Sequence, residues 1–497
     1  MSSADSITDP DFHCECEEGM ESACIGEPFY KEWQGKRYCV LHFPGQEKAR
    51  DFLPVFLRKL QRGDFTFQGV WFPEPVTFFS EFTADAEFGG ATFKQEVKFL
   101  EGAAFRGKAN FFGATFDEKA TFLSTFNEPS FFYRATFNAE AFFRTTFNAE
   151  TFFIDGIFNG KAYFGSTFKD NAIFCGATFG READFNGASF EAEVDFGSAI
   201  FRDSVIFAQR ENRPPVFTEK CSLNLAFTAI EKPDHVSFHT VELRPHWFVN
   251  TDPRKFDFTN VTWNWNSIRA EIKTLKYSEV LSPHALLAIA CWRLAANAED
   301  NQRYEEASQL RYRAMNVRRK EHFGCAAFWR LSWWHWLASG YGERVLKAFL
   351  VLVGLWLFFA LVFNHAGVSL EPTPMNQPRA FGSQYDRTPV PLTFSHALIY
   401  SAAVMTLQKP EPRAATLASQ TAVVLESILG PVQAALLALA IRRKFMRDVA
   451  RATNRHHTDV SYQWAGFEFR DAITACALTK CSPFCRRAGP FVRPRGC

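Results

Sequence analysis

Residues 91–105 read ATFKQEVKFLEGAAF, residues 114–126 ATFDEKATFLSTF, residues 135–153 ATFNAEAFFRTTFNAETFF and residues 177–201 ATFGREADFNGASFEAEVDFGSAIF. One register of Phe runs through them, at 88, 93, 99, 105, 111, 116, 122, 126, 132, 137, 143, 147, 153, 158, 164, 168, 174, 179, 185, 190, 196, 201 and 207. The step is mainly five or six residues, with a few fours. A helix would repeat its apolar positions every 3.6 residues and a half-buried strand every two, so neither accounts for the register. A step near five, held from Phe88 to Phe207, fits a coil of square cross-section in which each side gives one inward apolar side chain and one turn. Ala91, Ala114, Ala135, Ala177 and Ala188 precede Phe where a tight corner leaves little room.

These residues resemble the pentapeptide-repeat family, whose pattern is A-[DN]-[LF]-x-x, in a Phe-rich variant. The resemblance implies a right-handed quadrilateral β-helix, a solenoid in which each coil buries its Phe against its neighbours and both ends need caps. After an irregular stretch, QRENRPPVFTEKC, the segments VSFHTVELRPHWF and RKFDFTNVTWNWN within 236–266 read as final coils, closing near Trp263. The solenoid is therefore expected over 64–266.

The remaining composition bounds the rest. The chain has 497 residues, 55 Lys and Arg against 54 Asp and Glu, and 57 Phe. Its length allows roughly two to four domains. A net charge of +1 gives no global basic field for nucleic acid, and no nucleic-acid partner is expected. Mean hydropathy is −0.16, which excludes a carrier built mostly of membrane helices. Twelve Cys are too sparse for a disulfide scaffold. The start, MSSADSITDPDFHCECEE, is acidic and lacks an apolar core, so no signal peptide is expected.

In the N-terminal segment, 1–60, Cys14, Cys16, Cys24, Cys39 and His42 lie within 29 residues. Cys39-x-x-His42 has the short spacing of zinc sites, and thiolates with an imidazole suit tetrahedral structural zinc, the one cofactor expected. A cluster of reduced thiols and a redox role are the other readings. Over 267–340 the period turns helical. HALLAIACWRLAANAEDNQRYEEASQLRYRAMNVRRK reads as two antiparallel helices joined at Glu299–Gln302. They resemble one tetratricopeptide-type pair, with Trp292, Leu294, Ala295, Tyr304, Ala307, Leu310 and Tyr312 as packing positions, serving as spacer or cap.

Residues 341–447 read as a two-span membrane domain. VLKAFLVLVGLWLFFALVF, Val345 to Phe363, can cross a bilayer, with Trp333, Trp334, Trp336 and Tyr341 as an interfacial belt before it. LASQTAVVLESILGPVQAALLALAI, Leu417 to Ile441, is the second span. Arg318, Arg319, Lys320, Arg330 and Arg344 precede the first span and RRKFMRDVARATNR follows the second. The positive-inside rule then puts the solenoid and the C-terminus in the cytoplasm, at a cell (inner) membrane, with the loop 367–392 outside.

Thr393 to Met405 is an apolar helix too short to span, followed by a polar bend. Span, half-helix, bend and span resemble the two-transmembrane ion-channel family. The resemblance implies a pore helix over 393–405, a filter at Thr406, Leu407, Gln408 and Lys409, and a homo-oligomer, a tetramer. The bend reads TLQKP where a potassium filter reads TVGYG, so potassium selectivity does not carry over. Glu426 is read as facing a cavity or as paired across a helix contact, and Gly430–Pro431 as a gating hinge or a tolerated kink. The tail, 448–497, holds Cys476, Cys481, Cys485 and Cys497 among basic residues. A disordered basic tail, a metal site and a lipidation site are its readings.

No P-loop, GxSxG, HExxH or kinase motif is found, so no enzyme is expected. The leading function is a membrane ion channel with a cytoplasmic solenoid that receives a protein or ligand. The alternative is a membrane-anchored scaffold that binds a protein partner without conducting. DNA mimicry, known in the repeat family, would suit the 20 acidic and 11 basic residues of 64–207 but not a membrane anchor.

Overall fold

The structure, a computed structural model, describes residues 12–275, 281–321, 330–369, 392–408, 413–414 and 416–445. Lys409 and the tail cysteines lie outside the described residues. The chain divides into two compact units, Met1–Trp329 and Arg330–Cys497.

In the first unit the Phe step becomes a parallel β-solenoid. Strands of two to four residues stack into parallel sheets of nine, eight, seven and four strands. Each strand pairs in register with the one a coil further on: Thr115–Phe116 with Thr136–Phe137, then Ile157–Phe158, then Thr178–Phe179. One coil there takes 21 residues (137 − 116). All 23 Phe of the sequence register are buried, none more than 2% exposed. Phe112, Phe131, Phe142 and Phe152 fall off the register and stay partly or largely exposed.

The ring geometry follows from the backbone. Neighbouring parallel strands lie about 4.8 Å apart, so identical side chains at one register must stack at close to that distance. Phe116–Phe137, Phe137–Phe158 and Phe158–Phe179 do so at 4.6, 4.9 and 4.9 Å, within 4° of parallel. Adjacent ladders meet edge to face, as Phe143 and Phe153 do at 5.2 Å and 85°. Two of the inward hydroxyls find partners inside the coil: Ser130 Oγ donates to Thr151 Oγ1 at 3.1 Å, and Ser166 Oγ to the Phe143 carbonyl at 2.7 Å. The final coils form as the sequence suggests, with Phe238 on Phe207 at 5.0 Å and Phe258 on Phe238 at 5.5 Å.

Both ends are covered. Helix α1, Ala49–Gln61, lays Phe52 and Phe56 on Phe72, Phe67 and Phe78 of the first coils, at 5.5–5.8 Å. After the short α2, Ile268–Thr274, helices α3, Pro283–Asp300, and α4, Tyr304–Lys320, cover the other end. Their Leu294, Ala295, Ala298, Ala307 and Leu310 join the core of the Phe ladders. Asn297, 1% exposed, donates its amide to the carbonyls of Pro253 and Phe256 at 3.0 and 2.7 Å. Trp292 does not pack into this core: it is 43% exposed, whereas Leu294 and Ala295 are 1% exposed.

The second unit holds α5, Leu331–Ser339; α6, Val345–Ala366; α7, Phe394–Met405; and α8, Leu417–Phe445. Helices α6 and α8 are long and apolar enough to cross a membrane, and only 17% and 22% of their most apolar windows are buried. A core helix of a soluble protein would be mostly buried. These instead expose Phe349, Leu350, Phe358, Leu425, Ile428 and Val432.

Candidate functional site

The cysteine cluster is built from three short pieces. Residues 12–24 lie against an antiparallel hairpin, β1, Phe29–Trp33, and β2, Lys36–Cys39; the backbone then turns through His42 into α1. Glu15 N–H donates to the Arg37 carbonyl at 2.9 Å, which brings Cys14 beside the end of β2. There the Cys39 N–H points at Cys14 Sγ, 3.3 Å away.

His42 Nδ1 is 3.5 Å from Cys14 Sγ and 3.4 Å from Cys39 Sγ. Its other nitrogen, Nε2, is 2.9 Å from the Gln68 carbonyl. A partner on Nε2 fixes the ring and leaves Nδ1 for a ligand, as second-shell contacts do at metal sites. The ligand atoms of Cys14, Cys16, Cys24 and His42 all lie within 4.8 Å of one another. Around a tetrahedral zinc with bonds of about 2.3 Å to sulfur and 2.0 Å to nitrogen, sulfur and nitrogen ligands stand about 3.5 Å apart. The two Cys–His separations match this edge, so the cluster can hold a metal ion.

The charges agree. Contacts with Cys24 and Cys39, against the penalty of burial, hold the Cys14 thiol far below the ordinary thiol range. Burial, aided by Cys14, pushes Cys16 up to about 12. Burial would lower His42, but the neighbouring Cys14 and Cys39 sulfurs outweigh it and raise the imidazole to about 10. The cluster therefore converges a Cys14 thiolate, further thiols and a protonated His42, and a cation that binds there takes the place of the imidazole and thiol protons.

In the second unit three helices meet around Glu426, which is fully buried in α8. Ser401 of α7 donates to its Oε1 and also lies 3.2 Å from the Trp356 carbonyl of α6. Trp356 Nε1 returns a hydrogen bond to the Leu398 carbonyl at 3.0 Å. Glu426 Oε2 has no hydrogen-bond partner among the described residues. Helix α8 runs unbroken through Gly430–Pro431. A Cβ at Gly430 would come within 2.5 Å of Met405 Cγ, so the glycine makes room for the end of α7.

That end is closed by its own backbone. Leu407 adopts φ of +59°, Leu407 N–H donates to Val404 O at 3.0 Å and Gln408 N–H to Ala403 O at 2.8 Å, a Schellman cap without its usual glycine. Thr406 Oγ1 adds a bond to Ala402 O at 2.9 Å. Around it the chain path is set by a few contacts. Asn364 at the end of α6 donates to the Leu392 carbonyl before α7. Arg413–Ala414, beyond the bend, pair with Val368–Ser369 at that same end of α6. Thr416 Oγ1 also bonds Ala366 O at 3.1 Å, while Gln433 Nε2 reaches Ala338 O and Ala348 O near the other end, both at 2.8 Å.

Sequence reading selected the Cys/His set, Glu426 and Gly430 but could not give Ser401 beside Glu426, Trp356 behind Ser401 or Met405 against Gly430. The chain matches no protein-family model, no curated protein and no solved structure.

Proposed function

We propose that the chain is an ion-channel-like subunit of a homotetramer in the inner membrane, carrying a cytoplasmic right-handed, four-sided solenoid that receives a ligand or protein, and that it works without catalysis. One observation carries this reading. The chain leaves the end of α6, descends through α7 for about 18 Å, and is back at the same end of α6 by Arg413–Ala414 before α8 runs the full length. That return supports reading α7 as a re-entrant half-helix. Two spans and one half-helix cannot enclose a pore alone, so copies must surround it, with Thr406, Leu407, Gln408 and Lys409 at the narrowest part. The exposed apolar faces of α6 and α8 then meet lipid or neighbouring copies.

Recording the full-length protein in a planar bilayer under asymmetric salts tests this. Conduction is expected, with Lys409→Glu moving the reversal potential towards cations, since a ring of like charges sets which sign enters. Gly430→Ala should alter gating and leave selectivity alone, because the added methyl displaces Met405. Conduction that ignores Lys409→Glu would remove this filter from the pore.

The closed end of α7 favours a second reading. Its last carbonyls are already engaged, whereas a potassium-type filter aims backbone carbonyls at the ion. On this reading the helices only anchor a scaffold that binds a protein. A silent bilayer over a range of voltages and ions, with a partner still captured by the solenoid, would select it. Either reading puts the basic residues before α6 and after α8 on the cytoplasmic side. A cysteine engineered at position 380 should then react with an impermeant reagent from outside; labelling only after lysis would invert the topology.

At the N-terminus a structural zinc is held by Cys14, Cys24, Cys39 and His42. Cys39 is preferred over Cys16 because it is fully buried and touches His42, whereas Cys16 is partly exposed and donates to the Cys14 carbonyl at 3.7 Å. The ion would tie residues 12–24 to β2 and the start of α1.

A further inference from the structure

Along the outer face of the nine-stranded sheet, one side chain per coil falls in register: Thr121, Phe142, Tyr163, Asp184, Ile206. Phe142 and Tyr163 stack at 4.5 Å and 11°, and Lys119 lies over the Phe142 ring, 4.4 Å from its centre. At the next rung the aromatic stack stops, because Asp184 has no ring. The Tyr163 ring has no aromatic neighbour besides Phe142 among the described residues.

A groove of about 180 Å³ opens at this missing rung. Its wall is the loop that interrupts the repeat after strand 205–208. Gln209 fixes that loop, donating from Nε2 to the Arg213 and Pro214 carbonyls at 2.8 and 2.9 Å and accepting from Val216 N–H at 3.0 Å. Gly165 and Gly187 leave the floor open, and Arg144, Arg210 and Arg213 line the groove. The guanidinium groups of these arginines enter no hydrogen bond or contact ion pair among the described residues. Over 64–207 acidic residues outnumber basic ones by 20 to 11, and Arg144 from that range meets Arg210 and Arg213 of the following loop at this groove.

The groove thus offers three things at once: a bare aromatic face, the Asp184 carboxylate beside it, which accepts from the Asn186 N–H at 2.8 Å and feels the charge of Arg210, and guanidinium groups that make no hydrogen bond. A planar ring would complete the stack. A carboxylate only accepts hydrogen bonds, so it selects a ring edge that bears N–H donors. Guanidinium groups suit phosphate. Guanine presents two adjacent N–H donors on its pairing edge, whereas adenine places an acceptor nitrogen next to its amine. We propose that this groove binds a guanine nucleotide, with the base stacked on Tyr163, its N–H edge on Asp184 and its phosphate held by Arg144, Arg210 and Arg213. It supplies the ligand for the cytoplasmic solenoid of the channel reading and rests on that reading only for its consequence, since binding is measured without conductance.

Calorimetric titration of the full-length protein in detergent with GMP, AMP and inorganic phosphate tests the site. GMP should bind saturably, AMP and inorganic phosphate at least about tenfold more weakly. Tyr163→Ala should weaken GMP by about ten- to a hundredfold, the range of base–aromatic stacking. Asp184→Asn, which keeps the side-chain shape, should abolish the preference for GMP over AMP with an unchanged circular dichroism spectrum. Arg210→Ala with Arg213→Ala should weaken both nucleotides. Absence of saturable GMP binding at millimolar concentration, equal affinity for GMP and AMP or for GMP and phosphate, or GMP binding that ignores both Tyr163→Ala and Asp184→Asn would each overturn the proposal. A silent bilayer with GMP binding intact would remove the channel and leave the site.

Discussion

Phe137→Ala is expected to destabilise the solenoid by about 3–5 kcal/mol, the range for deleting a buried ring from a core that cannot collapse. Phe137 sits between Phe116 and Phe158 at 4.6 and 4.9 Å and touches Phe143 edge-on at 5.7 Å. The backbone ladder on either side fixes the coil spacing, so the neighbouring rings cannot close the gap. Denaturant titration combined with hydrogen exchange of the coil 127–147 would measure the loss, since repeat proteins open locally. Phe112→Ala is the control: its ring is 51% exposed and off the register, and its loss should stay within about 0.5 kcal/mol. Equal losses at the two positions would mean that the inward ladder does not carry the stability.

Removing the metal ligands should have the next largest effect, confined to the N-terminal end. Purified protein should carry about one zinc per chain. Cys39→Ser, or a chelator, should release it and open residues 12–48 to protease while the coils beyond stay protected. Free energies of about 10–16 kcal/mol for structural zinc in small peptides set an upper bound. The real loss is smaller because Ala23, Leu41 and Phe52 pack against the first coils in any case. Cys16→Ser should keep the metal. Elemental analysis showing none, with all thiols intact, would end the zinc assignment.

The Phe register could be read from sequence because it does two jobs at once. A step of five or six residues is incompatible with helix or ordinary strand, and it also separates Phe143, fully buried, from its neighbour Phe142, which faces out. The sites were legible only as residue types. Cys14 and His42 are 28 positions apart, and nothing local says that the Cys39 N–H will aim at Cys14. Ser401 and Glu426 meet across 25 positions because α7 lies alongside α8. Gly430 reads in isolation as a hinge or a tolerated kink, and its closeness to Met405 shows only once α7 is placed. The arginine groove was invisible for a related reason: Arg144, Asp184 and Arg210 share a face only through the 21- to 22-residue coil, and the loop bearing Arg210 and Arg213 looks like a flaw in the repeat.

The two covered ends have a consequence for self-association. A stack of parallel strands presents a row of unpaired N–H and carbonyl groups on its first and last coil, and identical copies could add there indefinitely into a filament. Here Phe52 and Phe56 lie over one terminus, and Asn297, Leu294 and Leu310 over the other, so a second chain would have to displace a helix to reach either edge. The same helices therefore set the solenoid's length and keep a surface dense in aromatic rungs from polymerising, leaving its flanks as the faces open to encounter.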